Sequence, residues 1–310
     1  MARYLQYLVT QARRESENEE FSSTNGIVDA EFIQYFNDAQ HRLQSLIVAQ
    51  RPSVFTEEKI LNTVVEQESY TLPADIFLEN MVSNIEYSTG PDFNYYILDA
   101  GTLKDRNPGV FGLPRYYIRK NSQVLLSPIP QRDNEKIRVN YVRRVSELDL
   151  RRGSVASVTL GTDTITSLTL NTGDLDSTDL DEHNYLCVID RDGNFKMKNI
   201  PYDGINPGTG VVTVSSGFTF DEGETIEVSD YICGGKETTT HSELPRHCER
   251  YLIKYTVNKI LMRDSSIDVS DAFQELTLIE NDIVESYSSL TDDVINIPEV
   301  QRGWWGINGY

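Results

Sequence analysis

The sequence predicts an α+β fold: a helical bundle from the N- and C-terminal segments, β elements beside it, and an all-β insert. Three observations predict it. Apolar residues recur at helical spacing from Tyr4 to Ala12 and again from Phe32 to Ile47. The same periodicity returns near the end, between Cys248 and Tyr287. Between these blocks lie short β-branched and aromatic runs punctuated by Gly, Pro, Asn and Asp. Two helical segments far apart in sequence are therefore expected to pack together, with strands built outward from them.

Taken in order, Tyr4, Leu5, Leu8, Val9 and Ala12 share one face of a first helix, and Glu15–Glu20 is polar. Asn25-Gly26 marks a turn. Asp29 is placed to cap the next helix and Glu31 to favour its first turn. Phe32, Ile33, Phe36, Ala39, Leu43, Leu46 and Ile47 form its apolar stripe, with Gln34, Asp38, His41, Arg42 and Gln44 opposite. Pro52 disfavours helical geometry at Arg51, so the helix stops near Gln50. Strands are expected at Ile60–Val65, Ser69–Leu72, Met81–Tyr87, Tyr116–Arg119, Gln123–Ser127 and Ile137–Val142. Pro73, Gly90-Pro91, Asn121-Ser122 and Pro128–Asn134 supply turns, and Leu98–Asn107 is assigned a short helix.

From Gly153 to Gly234 the composition shifts to Thr, Ser, Gly and Asp. Six runs recur at intervals of about ten residues: Val155–Leu160, Ile165–Leu170, Leu186–Asp190, Phe195–Ile200, Gly210–Val214 and Thr225–Val228. That spacing suits a small sandwich or barrel. Helix signals then return. Ser242–Pro245 open a segment with Cys248, Leu252, Ile253, Val257, Ile260 and Leu261 near one face. Ser270 or Asp271 caps the last helix, striped by Phe273, Leu276, Ile279, Ile283 and Tyr287. After Leu290 periodicity fades. The expected layout is a core from residues 1–152 and 235–297, an inserted small β domain at 153–234, and an extended C-terminal docking tail at 298–310.

Of the 310 residues 39% are hydrophobic, enough for a sizeable core. The net charge of −20 argues against broad phosphate neutralisation and against anionic membranes. The charge is uneven. Residues 153–234 hold fourteen acidic and three basic residues, a net −11, whereas 115–152 hold ten basic and four acidic, a net +6. Cys187, Cys233 and Cys248 have no CxxC spacing, so a disulfide scaffold is not expected and a reducing assembly compartment is. The N-terminus lacks the apolar run of a secretory signal, and no stretch approaches the roughly 18 apolar residues of a membrane span.

Motifs for chemistry are weak. Asp190-Arg191-Asp192-Gly193-Asn194 resembles part of a calcium loop, but Pro201 stands where the twelfth-position glutamate belongs; a hairpin turn explains it better. Asp174, Asp176, Asp179 and Asp181 could gather a hard cation, but a solvated acidic loop is the ordinary reading. His241, His247 and Cys248 lack a fourth zinc ligand. Gly234-Gly235-Lys236 lacks the upstream glycine and the following Ser or Thr of a phosphate loop. No nucleophile elbow exists, and the four histidines, His41, His183, His241 and His247, stand in polar or helical contexts. No catalytic, cofactor-binding or metal-binding residue is therefore assigned, and no cofactor is expected.

Two features point to interaction instead. Arg138, Arg143, Arg144, Arg151 and Arg152 could contact phosphates, line a solvated strand edge or meet the acidic surface of a neighbouring subunit. Trp304, Trp305 and Tyr310 end the chain among glycines, a context in which aromatics anchor an interface more readily than they serve a monomer.

The order of features resembles the head-to-tail adaptor (connector) proteins of tailed bacteriophages, especially short-tailed ones. The resembling stretches are the helix Glu31–Leu43, the turn Tyr70-Thr71-Leu72-Pro73-Ala74-Asp75, Leu125–Pro130 followed by the strand Ile137–Tyr141, and Leu244-Pro245. They cover about residues 8–150 and 243–290. The resemblance implies a structural virion protein of the neck, assembled in the host cytoplasm. It implies a homo-oligomer, a dodecameric ring between portal protein and tail nozzle protein, that extends the channel for double-stranded DNA without specific binding. Trp304, Trp305 and Tyr310 then fall to portal docking, and an acidic lumen would let DNA slide. Two other readings stand beside it: a virion carbohydrate- or receptor-binding protein acting through the insert, and a cell-wall hydrolase using paired carboxylates.

Overall fold

The computed structural model describes residues 4–16, 28–78, 81–90, 94–177, 180, 183–220, 225–263 and 270–288. It is a mixed α+β fold with a six-stranded barrel. Four long helices are α1 (Leu5–Glu15), α2 (Asp29–Gln50), α3 (Glu249–Leu261) and α4 (Ser270–Ser288). The strands are β1 (Thr56–Asn62), β2 (Ser69–Thr71), β3 (Val82–Ser88), β4 (Tyr96–Ile97), β5 (Asp99–Ala100), β6 (Tyr116–Lys120), β7 (Gln123–Ser127) and β8 (Lys136–Val142). They continue as β9 (Glu147–Leu148), β10 (Gly153–Leu160), β11 (Ile165–Leu170), β12 (Tyr185–Ile189), β13 (Phe195–Ile205), β14 (Val211–Val214), β15 (Tyr231–Gly234) and β16 (Thr238–Thr239).

The helical periodicity becomes one apolar cluster. Leu5, Leu8 and Ala12 of α1, Phe32, Phe36, Leu43 and Ile47 of α2, Leu252 and Val257 of α3, and Leu276 and Ile283 of α4 are all buried in it. Each fully buried side chain of this size contributes about 1.5–3 kcal/mol. The bidentate pair Arg42–Glu280 clamps α4 to α2. Helix α2 ends at Gln50 as Pro52 dictates, with Arg51 at φ −145°. Asp29 does not cap it. Val28 occupies the cap position, and the Asp29 carboxylate, in the first turn, pairs with Arg13 instead.

Two four-stranded sheets, ordered β1-β8-β3-β4 and β2-β7-β6-β5, enclose a second cluster around Tyr87, Leu126 and Val139. Strand β1 is an edge, exposed along almost its whole length; it begins four residues earlier than the alternation of Ile60–Val65 suggests. The helix expected at Leu98–Asn107 is absent. Asp99 and Gly101 instead donate to Arg115 O and Tyr117 O alongside β6, and the Asp105 carboxylate accepts from the Thr102 N–H, turning the chain.

Strands β10-β11-β14-β13-β12-β15 close the barrel around a third cluster with Leu168, Leu186, Ile200 and Ile232. Thr225–Val228 is not one of its strands. Tyr231–Gly234 takes that place, because its backbone pairs with both β10 and β12. The chain enters and leaves the barrel side by side, through the parallel pair β9 and β16.

Candidate interaction surfaces

The stretch from Arg143 to Arg152 is where helices, sheets and barrel meet, and polar side chains hold it from three directions. A row of amides on α2 faces it. Asn37 Nδ2 donates to Leu148 O and Asn37 Oδ1 accepts from Leu148 N, at 3.1 and 2.7 Å. Gln40 Nε2 donates to Ser146 O at 2.8 Å. Gln44 donates to Arg143 O and accepts from Val145 N, at 2.7 and 3.1 Å. Gln44 is thus buried, not on the solvent face that its polarity suggests. From the C-terminal side, Glu243 accepts from Arg143, Ser146 N and Ser146 Oγ. From within, Asp149 accepts from Leu150 N, from Arg152 and from Gly234 N of the barrel.

Of the five arginines, Arg143 and Arg152 are bound into this hub. Arg138 sits between Glu86 at 3.3 Å and Glu58 at 3.7 Å, over the Tyr95 ring. Arg143 pairs with Glu57 and Glu243 at 2.7 and 2.6 Å. Arg151 faces Asp174 at 3.6 Å and the Tyr231 ring, and Arg152 forks onto Asp149 and reaches Asp176 at 3.2 Å. Phosphate contact by these four would compete with carboxylates of the same chain. The Arg144 side chain is exposed. Asp174 and Asp176 of the acidic series are therefore ion-paired, not merely solvated; Asp179 and Asp181 lie outside the described residues, as do Trp304, Trp305 and Tyr310.

The remaining motifs resolve into structure. The Asp190 carboxylate accepts from Asp192 N, Asn194 N and Asn194 Nδ2, closing the hairpin turn, and these donors hold its pKa below the ordinary carboxylate value against the opposing effect of desolvation. His241 packs on Tyr4 and bonds Thr240, while His247 packs on Tyr287. Among the described residues no group of three or more His, Cys, Asp and Glu could hold a metal ion. A polar cleft of about 580 Å³ between sheet, hairpin and Glu243 is lined by Glu57, Arg143, Lys198 and His241, with its strongest charges already paired. No helix among the described residues is long and apolar enough to cross a membrane.

One surface was not foreseen. Six large apolar residues within twenty positions face outward: Ile97, Leu103, Val110, Phe111, Leu113 and Tyr116, with Ile97 and Leu103 65% and 68% exposed. The loop carrying them is folded onto the sheet edge. Ser127 Oγ donates to Asp105 O, Phe111 bridges to Ile129, and Gly101 lies against Tyr116. Single exposed apolar residues are ordinary, whereas six within one segment make that segment a candidate contact surface. Periodicity carries no signal for it: Leu98–Asn107 reads as a short helix and Tyr116–Arg119 as a strand, and which of their side chains stay in water is decided by tertiary pairing with β6.

Ion pairs gather around the joint, and large apolar side chains lie exposed along the neighbouring sheet segment. The chain belongs to the SU10 adaptor protein family, whose model matches residues 5–191. It is a structural adaptor protein of a bacteriophage, placed by its family in the virion neck among other virion proteins; the family is not an enzyme family. The match runs through α1, α2, both sheets and the barrel strands up to β12, so it reaches into the segment beyond Gly153 that the resembling stretches left out. No curated protein matches the chain. The resembling stretches also meet in space: the Tyr141 hydroxyl of β8 donates to the Asp75 carboxylate of the Tyr70–Asp75 turn at 3.0 Å.

Proposed function

We propose that the chain is one subunit of an oligomeric adaptor ring, dodecameric, that lies between portal and tail nozzle and extends the DNA channel. The family match carries this reading; the outward apolar surface supports it, since a monomer gains nothing by leaving six large apolar side chains in water. Residues 1–152 and 235–297 form the body of the subunit, residues 153–234 a small β domain inserted into it, and residues 298–310 a docking tail. In this reading Trp304, Trp305 and Tyr310 anchor the tail on the portal. Arg144 is the arginine of the basic group best placed to meet a neighbour or passing DNA, because its side chain is exposed. The net charge of −20 keeps DNA from sticking. The test is deletion of residues 298–310. The truncated chain should keep the circular dichroism and melting midpoint of the full chain and lose co-sedimentation with the portal. Undiminished portal binding would remove the tail from the interface.

A further inference from the structure

We propose that the apolar surface from Ile97 to Tyr116 binds a second copy of this chain, on the acidic outer wall of that copy's barrel. The inference rests on the reading of the chain as an oligomeric subunit and names the faces that meet.

Charge decides the partner face. Residues 97–120 carry Lys104, Arg106, Arg115, Arg119 and Lys120 against Asp99 and Asp105, a net +3. Arg106 is held by Glu68, while Lys104 and Arg115 lie exposed at the rim of the apolar side chains. Two such surfaces pressed together would set like charges against each other, which penalises a symmetric patch-to-patch dimer. The barrel segment, residues 153–234, carries a net −11. Asp163, Asp192, Asp203 and Glu227 are exposed on it, with Val211 and Val228 also exposed, Val228 at 64%. It therefore offers what the patch lacks: opposite charge with apolar side chains among it. Apolar residues at the centre supply buried area, and the charged rim supplies orientation.

The geometry of assembly follows. A contact between two different faces leaves each copy with one donor face and one acceptor face still open. Such heterologous contacts propagate into rings or filaments and do not stop at a dimer.

The test uses the full chain and measures mass in solution by native mass spectrometry and sedimentation. Wild type should form species larger than a dimer that weaken as salt is raised. Reversing the rim charge with Lys104→Glu and Arg115→Glu should weaken association by about tenfold or more. Reversing the barrel with Asp203→Lys and Glu227→Lys should do the same. All four positions are exposed, and circular dichroism verifies the fold. Mixing the two reversed proteins does not test the pairing, because each keeps one unaltered face; the chain carrying all four changes does, and it should associate again. Wild-type association by both reversed chains, or by the barrel-reversed chain alone, overturns the proposed contact and leaves the oligomer reading standing. A wild-type chain that stays monomeric at every concentration overturns the proposed contact, and one that stays monomeric with the portal present overturns both. Loss of binding to portal or tail protein by the rim variant, with self-association intact, assigns the surface to that partner and also overturns the inference.

Discussion

Gly193 and His241 tie the barrel to the body through one close contact. Gly193 has φ +94°, and a Cβ added there would lie 2.7 Å from the His241 Cβ and Cγ. The position needs glycine both for its backbone and for its neighbour. The Asp192-Gly193 turn was legible from its residue types; the contact was not, because His241 follows the whole barrel segment in sequence. Burial of His241 lowers its pKa from the ordinary histidine value, partly opposed by the charges of Asp190 and Asp192. The sign follows: the unfolded chain takes up the proton more readily, so stability rises with pH. This contribution is full above the unfolded histidine range, near pH 6.5, and falls as pH drops below it. A His241→Asn chain should show a flatter loss of denaturation midpoint between about pH 7 and pH 5 than wild type.

At the scale of elements, α2 is the piece that organises the rest. Its apolar stripe was legible from period alone, and so was its end at Gln50. Its second face was not. Asn37, Gln40 and Gln44 stand at helical spacing beside the apolar row, but a sequence cannot say whether amides meet water or a backbone. They meet the segment leading from β8 into β9, where the ladder to neighbouring strands lapses. Gln44→Ala should leave Arg143 O and Val145 N without their partner and lower stability by about 2–3 kcal/mol in urea denaturation. A cost no larger than that of an exposed glutamine would show that water replaces the amide. The misassigned helix at Leu98–Asn107 has the converse cause. Its local composition allowed a helix, and pairing with β6, set by residues later in the chain, overrode it. Strand β15 was missed for a similar reason: Asp230-Tyr231-Ile232-Cys233-Gly234 shows no alternation, because both barrel neighbours and the joint bury it.

At the scale of the whole molecule, two adjacent chain crossings, the Gly193–His241 contact and a buried ion pair at the crossing join body and barrel. Arg152 and Asp149 are each 9% exposed, and Asp149 also holds Gly234 N. Breaking such a pair from one side strands the other charge, so Asp149→Ala should cost about 3–5 kcal/mol, read as a fall in the urea midpoint. Replacing both residues with apolar ones should cost less. The order of segments, the acidic Gly153–Gly234 stretch and the terminal helices could be read directly from composition and period. Barrel closure and the joint could not, since both depend on which strands become neighbours.

The free edge at β1 has a consequence for the time before assembly. A protein made in many copies accumulates at high local concentration, where open sheet edges template aggregation. The closed barrel has no edge to offer. Strand β1 does, and it carries Glu57, Glu58 and Lys59 along it. A second copy adding antiparallel in centred register would set Lys59 against Lys59. That like-charge pair disfavours edge-to-edge pairing, so that under the proposed assembly the free subunits stay available for ordered incorporation.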